Sequence, residues 1–254
     1  MSRAEHIAAW MRRHLVASGA RGFIVGLSGG LDSAVVARLA QLAAPGAVTA
    51  ALLPCHSDPR DEEDAALIAR HFALETVRVD LGPAYDTLVA ASQRALQRLP
   101  DRARAAPPPE STDTRLPLAN VKPRLRMATL YFLANQLRYL VAGTGNRSEI
   151  AIGYYTKHGD GGVDLLPIGH LVKSEVRELA RELDVPRAII ERIPSAGLWL
   201  GQSDEEEMGF TYAELERYLD EGPQAVSPAL AMRIERLTRS SEHKRNLPPV
   251  PDKD

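Results

Sequence analysis

Eight residues between a strand and a helix, GLSGGLDS from Gly26 to Ser33, limit what this chain can fold into more than any other stretch. The turn follows RGFIVGL (21–27), a short apolar run with β-branched residues. It leads into SAVVARLAQLA (33–43), whose apolar positions recur at helical spacing. The alternation then continues, with AVTAALL (47–53) reading as a strand, DEEDAALIARHF (61–72) as a helix and ETVRVD (75–80) as a strand. Strands separated by helices pair in parallel, because a crossover must carry the chain back to the same edge. The expected class is therefore α/β, a doubly wound, mostly parallel sheet with helices on both faces. Residues 82–99 are helical in pattern, whereas 100–118 combine prolines with polar residues and no hydrophobic period, as a loop does. The pattern resumes with a long helix from about Asn120 and a strand at RYLVAG, so 100–118 is no domain boundary and residues 1–254 read as one domain. Helices are expected just after Thr144, around 173–193, near 211–220 and at 227–242, with a surface tail at 246–254.

Glycines let a backbone approach an anion closely, turn N–H groups point inward, and the following helix adds the positive end of its dipole. Phosphate is the natural ligand for such a turn. It lacks the Gly-Lys-Ser/Thr ending of a Walker A loop and is not a GxGxxG dinucleotide fingerprint. A plain glycine turn with a capping serine is the bland alternative. The net charge of −2 gives no global positive field for nucleic acid or an anionic membrane, so anionic ligands must be met by local cations. Cys55 is the one cysteine, which excludes an intramolecular disulfide and a multi-cysteine zinc site; it reads as a packing residue in a reducing compartment. The N-terminal MSRAEHIAAWMRRHL carries charges throughout, unlike a signal peptide, and no stretch approaches a membrane span. A cytoplasmic protein is expected.

The pattern SGGxDS after a first strand resembles the PP-loop of the N-type ATP pyrophosphatases. The resemblance implies that the turn holds the pyrophosphate that leaves when ATP adenylates an acceptor. Gly26, Leu27, Ser28, Gly29, Gly30, Leu31, Asp32 and Ser33 would then contact ATP, with Asp32 also on Mg²⁺. The loop alone does not name the acceptor. NVKPRLRM (120–127), GTGNRSEIAIGYYTKHGDGGVDLLPIGHLVKSEV (143–176), PSAGLWLGQSDEEEMG (194–209) and SEHKR (241–245) do, because in order and spacing they resemble the ammonia-dependent NAD synthetase family. That family implies ATP-dependent amidation of deamido-NAD by ammonia through an adenylated intermediate, giving NAD, AMP and pyrophosphate.

Carried onto this sequence, the resemblance implies ATP contacts at Thr144, Lys173 and Ser195, and a second Mg²⁺ carboxylate at Glu149. It implies deamido-NAD contacts at Arg124, Lys157, Asp164, His243 and Lys244. Ser195 keeps the hydroxyl of the threonine common in the family's PTADL, and GTGNRSE replaces GTDHAAE while retaining threonine and glutamate. After the second strand, LPCHSDPRDEEDA departs from the family in length and content, and Arg60 is the candidate ATP contact there. Taken singly, Arg124 and Arg126 fit a solvated helix face, Lys173 a surface charge, and His243 a helix C-terminus. Tyr154 and Tyr155 fit either core packing or stacking on a ligand ring.

In the first chemical step Lys173 would stabilise phosphate charge, and in the second Asp160, in the GDGG turn, would take a proton from ammonium. Pro194–Gly209 is expected to close as a lid over the adenylate, with a permanently packed Trp199 and an acidic run 204–207 that caps the next helix as the alternative. The resemblance also implies a homodimer. Glutamine is not expected as nitrogen source, since the chain has no room for an amidase with its own nucleophile. A PP-loop tRNA-modifying enzyme would normally show more cysteines or a basic RNA-binding module, and a nucleotide sensor would have lost the later motifs.

Overall fold

The computed structural model describes residues 1–100, 115–195, 197–199 and 201–251. Most of the proline-rich segment 100–118, Ala196 and Leu200 of the expected lid, and the last three residues of the tail lie outside them. Among the described residues, β1 (Gly22–Gly26), β2 (Val48–Leu52), β3 (Glu75–Arg78) and β4 (Tyr139–Val141) form one sheet in the order β3-β2-β1-β4. Every neighbouring pair is parallel, as the βα alternation requires. The helices α2 (Leu31–Ala43) and α3 (Pro59–His71) make the crossovers from β1 to β2 to β3. Next come α4 (Gly82–Gln97), α5 (Leu116–Ala119) and α6 (Val121–Leu137), which bring the chain back to place β4 on the other side of β1. Strand order thus reverses between β1 and β4, where open α/β sheets leave a crevice beyond the strand ends.

Period-two alternation in β1 covers both faces of the sheet. Phe23 and Val25 pack into the layer of α2, α1 (Arg3–Ser18) and α8 (Lys173–Glu182). Ile24 faces Cys55, Ala134 and Val141, with Leu130 and Tyr131 of α6 packed against them. On α1 the buried residues Ala4, Ile7, Ala8 and Met11 keep the i, i+3, i+4, i+7 stripe, and a capping box between Ser2 and Glu5 starts the helix. Each large side chain sealed in these layers contributes about 1.5–3 kcal/mol.

The remaining helices are α7 (Arg147–Ile152), α9 (Arg187–Ile190), α10 (Asp204–Met208), α11 (Tyr212–Glu221) and α12 (Pro228–Ser240). Ile152, Met208, Phe210, Tyr212, Leu215 and Ile234 bind α7 and α10–α12 into a third cluster. The sequence pattern does not show α10, because its acidic run DEEE has no apolar period. The expected helix at 227–242 ends at Ser240 and continues as a single 3₁₀ turn, Glu242–Lys244.

Candidate active site

At the end of β1 the glycine turn bends with Gly29 at φ +82°, a left-handed conformation that favours glycine. A Cβ there would also press on the Asp61 carbonyl oxygen and come within 3.0 Å of the Asp64 Cβ. The turn is tied internally: Ser33 Oγ donates to Gly30 O at 2.9 Å, and Ser28 Oγ lies 3.1 Å from Ser33 Oγ. Gly30 caps α2 without any side-chain hydrogen bond. First-turn N–H groups of this helix are therefore left for an anion.

Asp32 in the first turn of α2 pairs through Oδ2 with the Lys173 ammonium, and Glu149 Oε1 lies 3.5 Å from the same nitrogen. Asn146 joins the two acids, donating from Nδ2 to Asp32 at 3.2 Å and accepting from the Glu149 N–H at 3.0 Å. The sequence reading assigned no role to Asn146; its signal is the N-x-x-E capping box that starts α7. Burial pushes the Glu149 carboxyl up to about 8; the Asp32 charge adds to this and Lys173 opposes it. Burial also pulls Lys173 down, but Asp32 and Glu149 outweigh it and hold the ammonium above its usual value. Two carboxylates share one ammonium at the mouth of a phosphate-type turn. Among the described residues no three His, Cys, Asp or Glu side chains gather as a metal cage.

This constellation opens into a cavity of about 570 Å³. Of the expected ATP contacts, all of the turn but Gly29 lines it, together with Thr144, Lys173 and Ser195. Gly29 instead backs onto α3. Arg60 is not brought there: its side chain is 83% exposed, with Asp58 at 4.0 Å. Lys244 lines the cavity, its ammonium donating to Gly153 O at 2.7 Å and Tyr155 O at 2.6 Å. Beside it Lys157 donates to His243 O at 2.6 Å, and Arg124 to Lys157 O at 3.3 Å, so four of the expected dinucleotide contacts form one strip, three of them cations. Asp164 stands apart, accepting from Val141 N at 2.8 Å and Tyr131 Oη at 3.0 Å. Burial, then Asp164, pushes the Tyr131 phenol up to about 12.

Asp160 also faces the cavity and accepts from Thr156 N at 2.9 Å. Surrounding protein raises its carboxyl, while that hydrogen bond and the charges of Lys244 and Arg126 oppose the rise. A carboxylate of raised pKa suits a proton acceptor. Sequence reasoning places Asp204 and Glu207 only in the lid segment or in an acidic run capping a helix; they share one face of α10 at i, i+3 spacing. Tyr154 Oη lies 3.2 Å from Asp204 and 2.7 Å from Glu207, and Tyr212 Oη donates to Asp204 at 3.0 Å. The Tyr212 ring in turn lies 5.2 Å under the Lys173 ammonium. Tyr154 and Tyr155 both line the cavity, and Tyr154 also packs on the third cluster. Cys55 is fully buried, and burial raises its thiol.

In the expected lid, Ser195, Gly197, Leu198 and Gln202 border the cavity. Lys122 donates to Leu198 O at 2.7 Å, and Leu198 N to Gln202 Oε1 at 2.8 Å. Trp199 is half-buried, with the Arg115 guanidinium 4.7 Å from its ring.

Residues 3–248 match the NAD synthase family model. An NH(3)-dependent NAD(+) synthetase from Carboxydothermus hydrogenoformans is 49% identical over 249 residues, which cover 98% of this chain and 96% of that one. The NMN synthetase of Francisella tularensis has a similar structure, with a TM-score of 0.87 and 37% identity over 99% of this chain and 98% of that one. An NH3-dependent NAD synthetase from Campylobacter jejuni, solved with a nitrate ion, gives 0.77 and 25% over 99% and 100%. With the family match spanning every residue that lines the cavity, the chain belongs to the NAD synthase family.

Proposed function

We propose that this chain is a ligase that uses ATP and ammonia to convert the nicotinate carboxylate of deamido-NAD into the amide of NAD. The observation that carries this reading is the meeting of the phosphate-type turn with Asp32, Glu149 and Lys173 in one cavity that also reaches Asp160 and Lys244. In the first step a carboxylate oxygen attacks the α-phosphorus of ATP, the bond to the β-phosphate bridge breaks, and pyrophosphate leaves. The first-turn N–H groups of α2 and the Lys173 ammonium hold its charge. In the second, Asp160 takes the proton that frees ammonia from ammonium, the ammonia nitrogen attacks the acyl carbon, the bond to AMP breaks, and the second proton lost from the nitrogen goes to the departing AMP phosphate. The Pro194–Gly209 segment excludes water that would otherwise hydrolyse the adenylate.

Asp32 and Glu149 are the pair that would hold Mg²⁺. Hard carboxylate oxygens suit it, and magnesium usually takes only one or two carboxylates beside phosphate oxygens and water. When bound, the ion supplies positive charge to the departing phosphates. Arg124, Lys157, His243 and Lys244 form the strip that would receive the dinucleotide, with Asp164 as a more distant contact. Residues 1–254 serve this chemistry as one domain. A cytoplasmic setting rests on the reducing-compartment reading of Cys55; among the described residues no helix is long and apolar enough to cross a membrane.

Likeness to an NMN synthetase supports a second reading, in which the acceptor is the mononucleotide. One assay addresses both. Purified protein with MgATP and ammonium is expected to make NAD from deamido-NAD, and glutamine in place of ammonium is expected to give none. Glutamine-driven NAD without ammonia would refute the nitrogen source. Product from nicotinate mononucleotide alone would move the reading to the second acceptor.

We also propose a homodimer. Leu88 and Leu96 on α4 and Phe132 on α6 are exposed, at 47%, 59% and 63%, and α4 buries only Gly82 against the rest of the chain. Light scattering is expected to give about twice the 27.7 kDa chain mass. A fully active monomer would contradict this.

A further inference from the structure

Arg126 sits in the wall of the cavity and has no ion-pair partner among the described residues. It stands on the second turn of α6, where Nε donates to Leu53 O and Nη2 to Ser57 Oγ, both at 3.1 Å. Nη1 makes no hydrogen bond among the described residues, yet it is not sealed off: Arg38 Nε is the one closed-off side-chain polar atom found there without a partner. Arg126 lines the cavity, which puts its remaining N–H groups within reach of a ligand there. Neighbouring cations are provided for differently. Lys173 has Asp32 and Glu149, and Arg192 has Asp61 and, at 2.7 Å, Asp64.

Lys122, one turn earlier on the same face of α6, makes the arrangement less favourable still. Its ammonium is buried and, among the described residues, donates to the carbonyls of His56, at 3.3 Å, and Leu198 and to no carboxylate. Two like charges at i, i+4 oppose each other, and the Arg126 charge adds to burial in holding Lys122 below its usual value. Burial likewise lowers Arg126, opposed by Cys55 and then by Asp61 and Asp160, none of which forms an ion pair with it. If Arg126 were only a staple for residues 53–57, a neutral amide could make the same two hydrogen bonds without the cost of desolvating a guanidinium. An unspent planar fork at the wall of a cavity that also holds the phosphate-type turn fits an oxyanion, which it can grip with two parallel hydrogen bonds.

We propose that Arg126 is a binding residue for the reacting oxyanion, either the carboxylate that is adenylated or the α-phosphoryl group that joins it. The proposal rests on the ligase reading above and adds a residue to which the family resemblance assigns no role. The test compares the wild-type protein with Arg126→Gln and Arg126→Lys. The readouts are pyrophosphate release, thermal unfolding, and calorimetric titration with deamido-NAD alone and with a non-hydrolysable ATP analogue alone. Arg126→Gln is expected to unfold within a few degrees of wild type while pyrophosphate release falls about 10- to 100-fold, the loss of charged hydrogen bonds. Weakened dinucleotide binding identifies the carboxylate as the partner, and weakened analogue binding the phosphoryl group. A folded Gln variant with wild-type release and both affinities unchanged overturns the proposal. Should the Gln variant not fold, Arg126→Lys carries the test: it keeps the charge but loses the fork, so a loss of about tenfold supports the proposal and undiminished release overturns it. Wild-type NAD formation tests the ligase reading separately. If that fails, the two titrations still compare wild type with variant at this site.

Discussion

Asp32→Asn is expected to lower pyrophosphate release by about 10²- to 10³-fold, the usual cost of removing one group aimed at charge developing in the transition state. The substitution keeps side-chain volume and the hydrogen-bonding oxygen that meets Asn146, but it removes the charge that pairs with Lys173. Losing one partner of a fully buried pair costs about 3–5 kcal/mol. Here the loss should be smaller, because Asp32 keeps 17% of its side chain exposed and Glu149 remains 3.5 Å from the ammonium. The protein should therefore fold and melt only modestly earlier while adenylation nearly stops. Pyrophosphate release and a melting curve on the same preparation check both halves. Near wild-type release would take Asp32 out of the phosphate site.

Gly29→Ala is the other large effect, and it acts first on stability. Gly29 needs the left-handed backbone at φ +82°, which costs an L-residue about 1–2 kcal/mol, and overpacking against α3 adds about 1–3 kcal/mol. The added methyl meets backbone at Asp61 and Ala65 rather than the end of a flexible side chain, so little can yield. A total near 2–5 kcal/mol is a large share of an ordinary domain's stability. Chemical denaturation should show this loss, and ATP-analogue binding should weaken with it, since the turn can relieve the clash only by moving. Wild-type stability and binding in Gly29→Ala would mean that the turn does not need this geometry.

What was legible in the sequence is what is encoded locally. The turn at 26–33 declared itself through glycines and flanking patterns, and the parallel sheet followed from the βα alternation. Glu149 stood at a helix start and Lys173 opened the next long helix, and both reached the cavity. Their meeting with Asp32 was not legible from pattern alone: Lys173 and Asp32 are 141 positions apart, joined only by the sheet's topology. Arg124 and Arg126 show the limit of a motif. Two positions apart on a helix turn a side chain by about 200°, so Arg124 joins the rim strip while Arg126 enters the wall. Arg60 was placed by analogy in a segment of altered length, and it falls on the exposed side of α3. The tyrosine contacts of Asp204 and Glu207 were hidden because an acidic run has the same composition on a solvated face as where one member, Asp204, is buried.

The most direct measurement of the adenylation account is the fate of the carboxylate oxygens. Deamido-NAD labelled with oxygen-18 in its ring carboxylate, turned over with ATP and ammonium, should transfer one labelled oxygen to AMP and leave pyrophosphate unlabelled. Label in inorganic phosphate, or AMP free of label while NAD accumulates, would contradict attack of the carboxylate on the α-phosphorus.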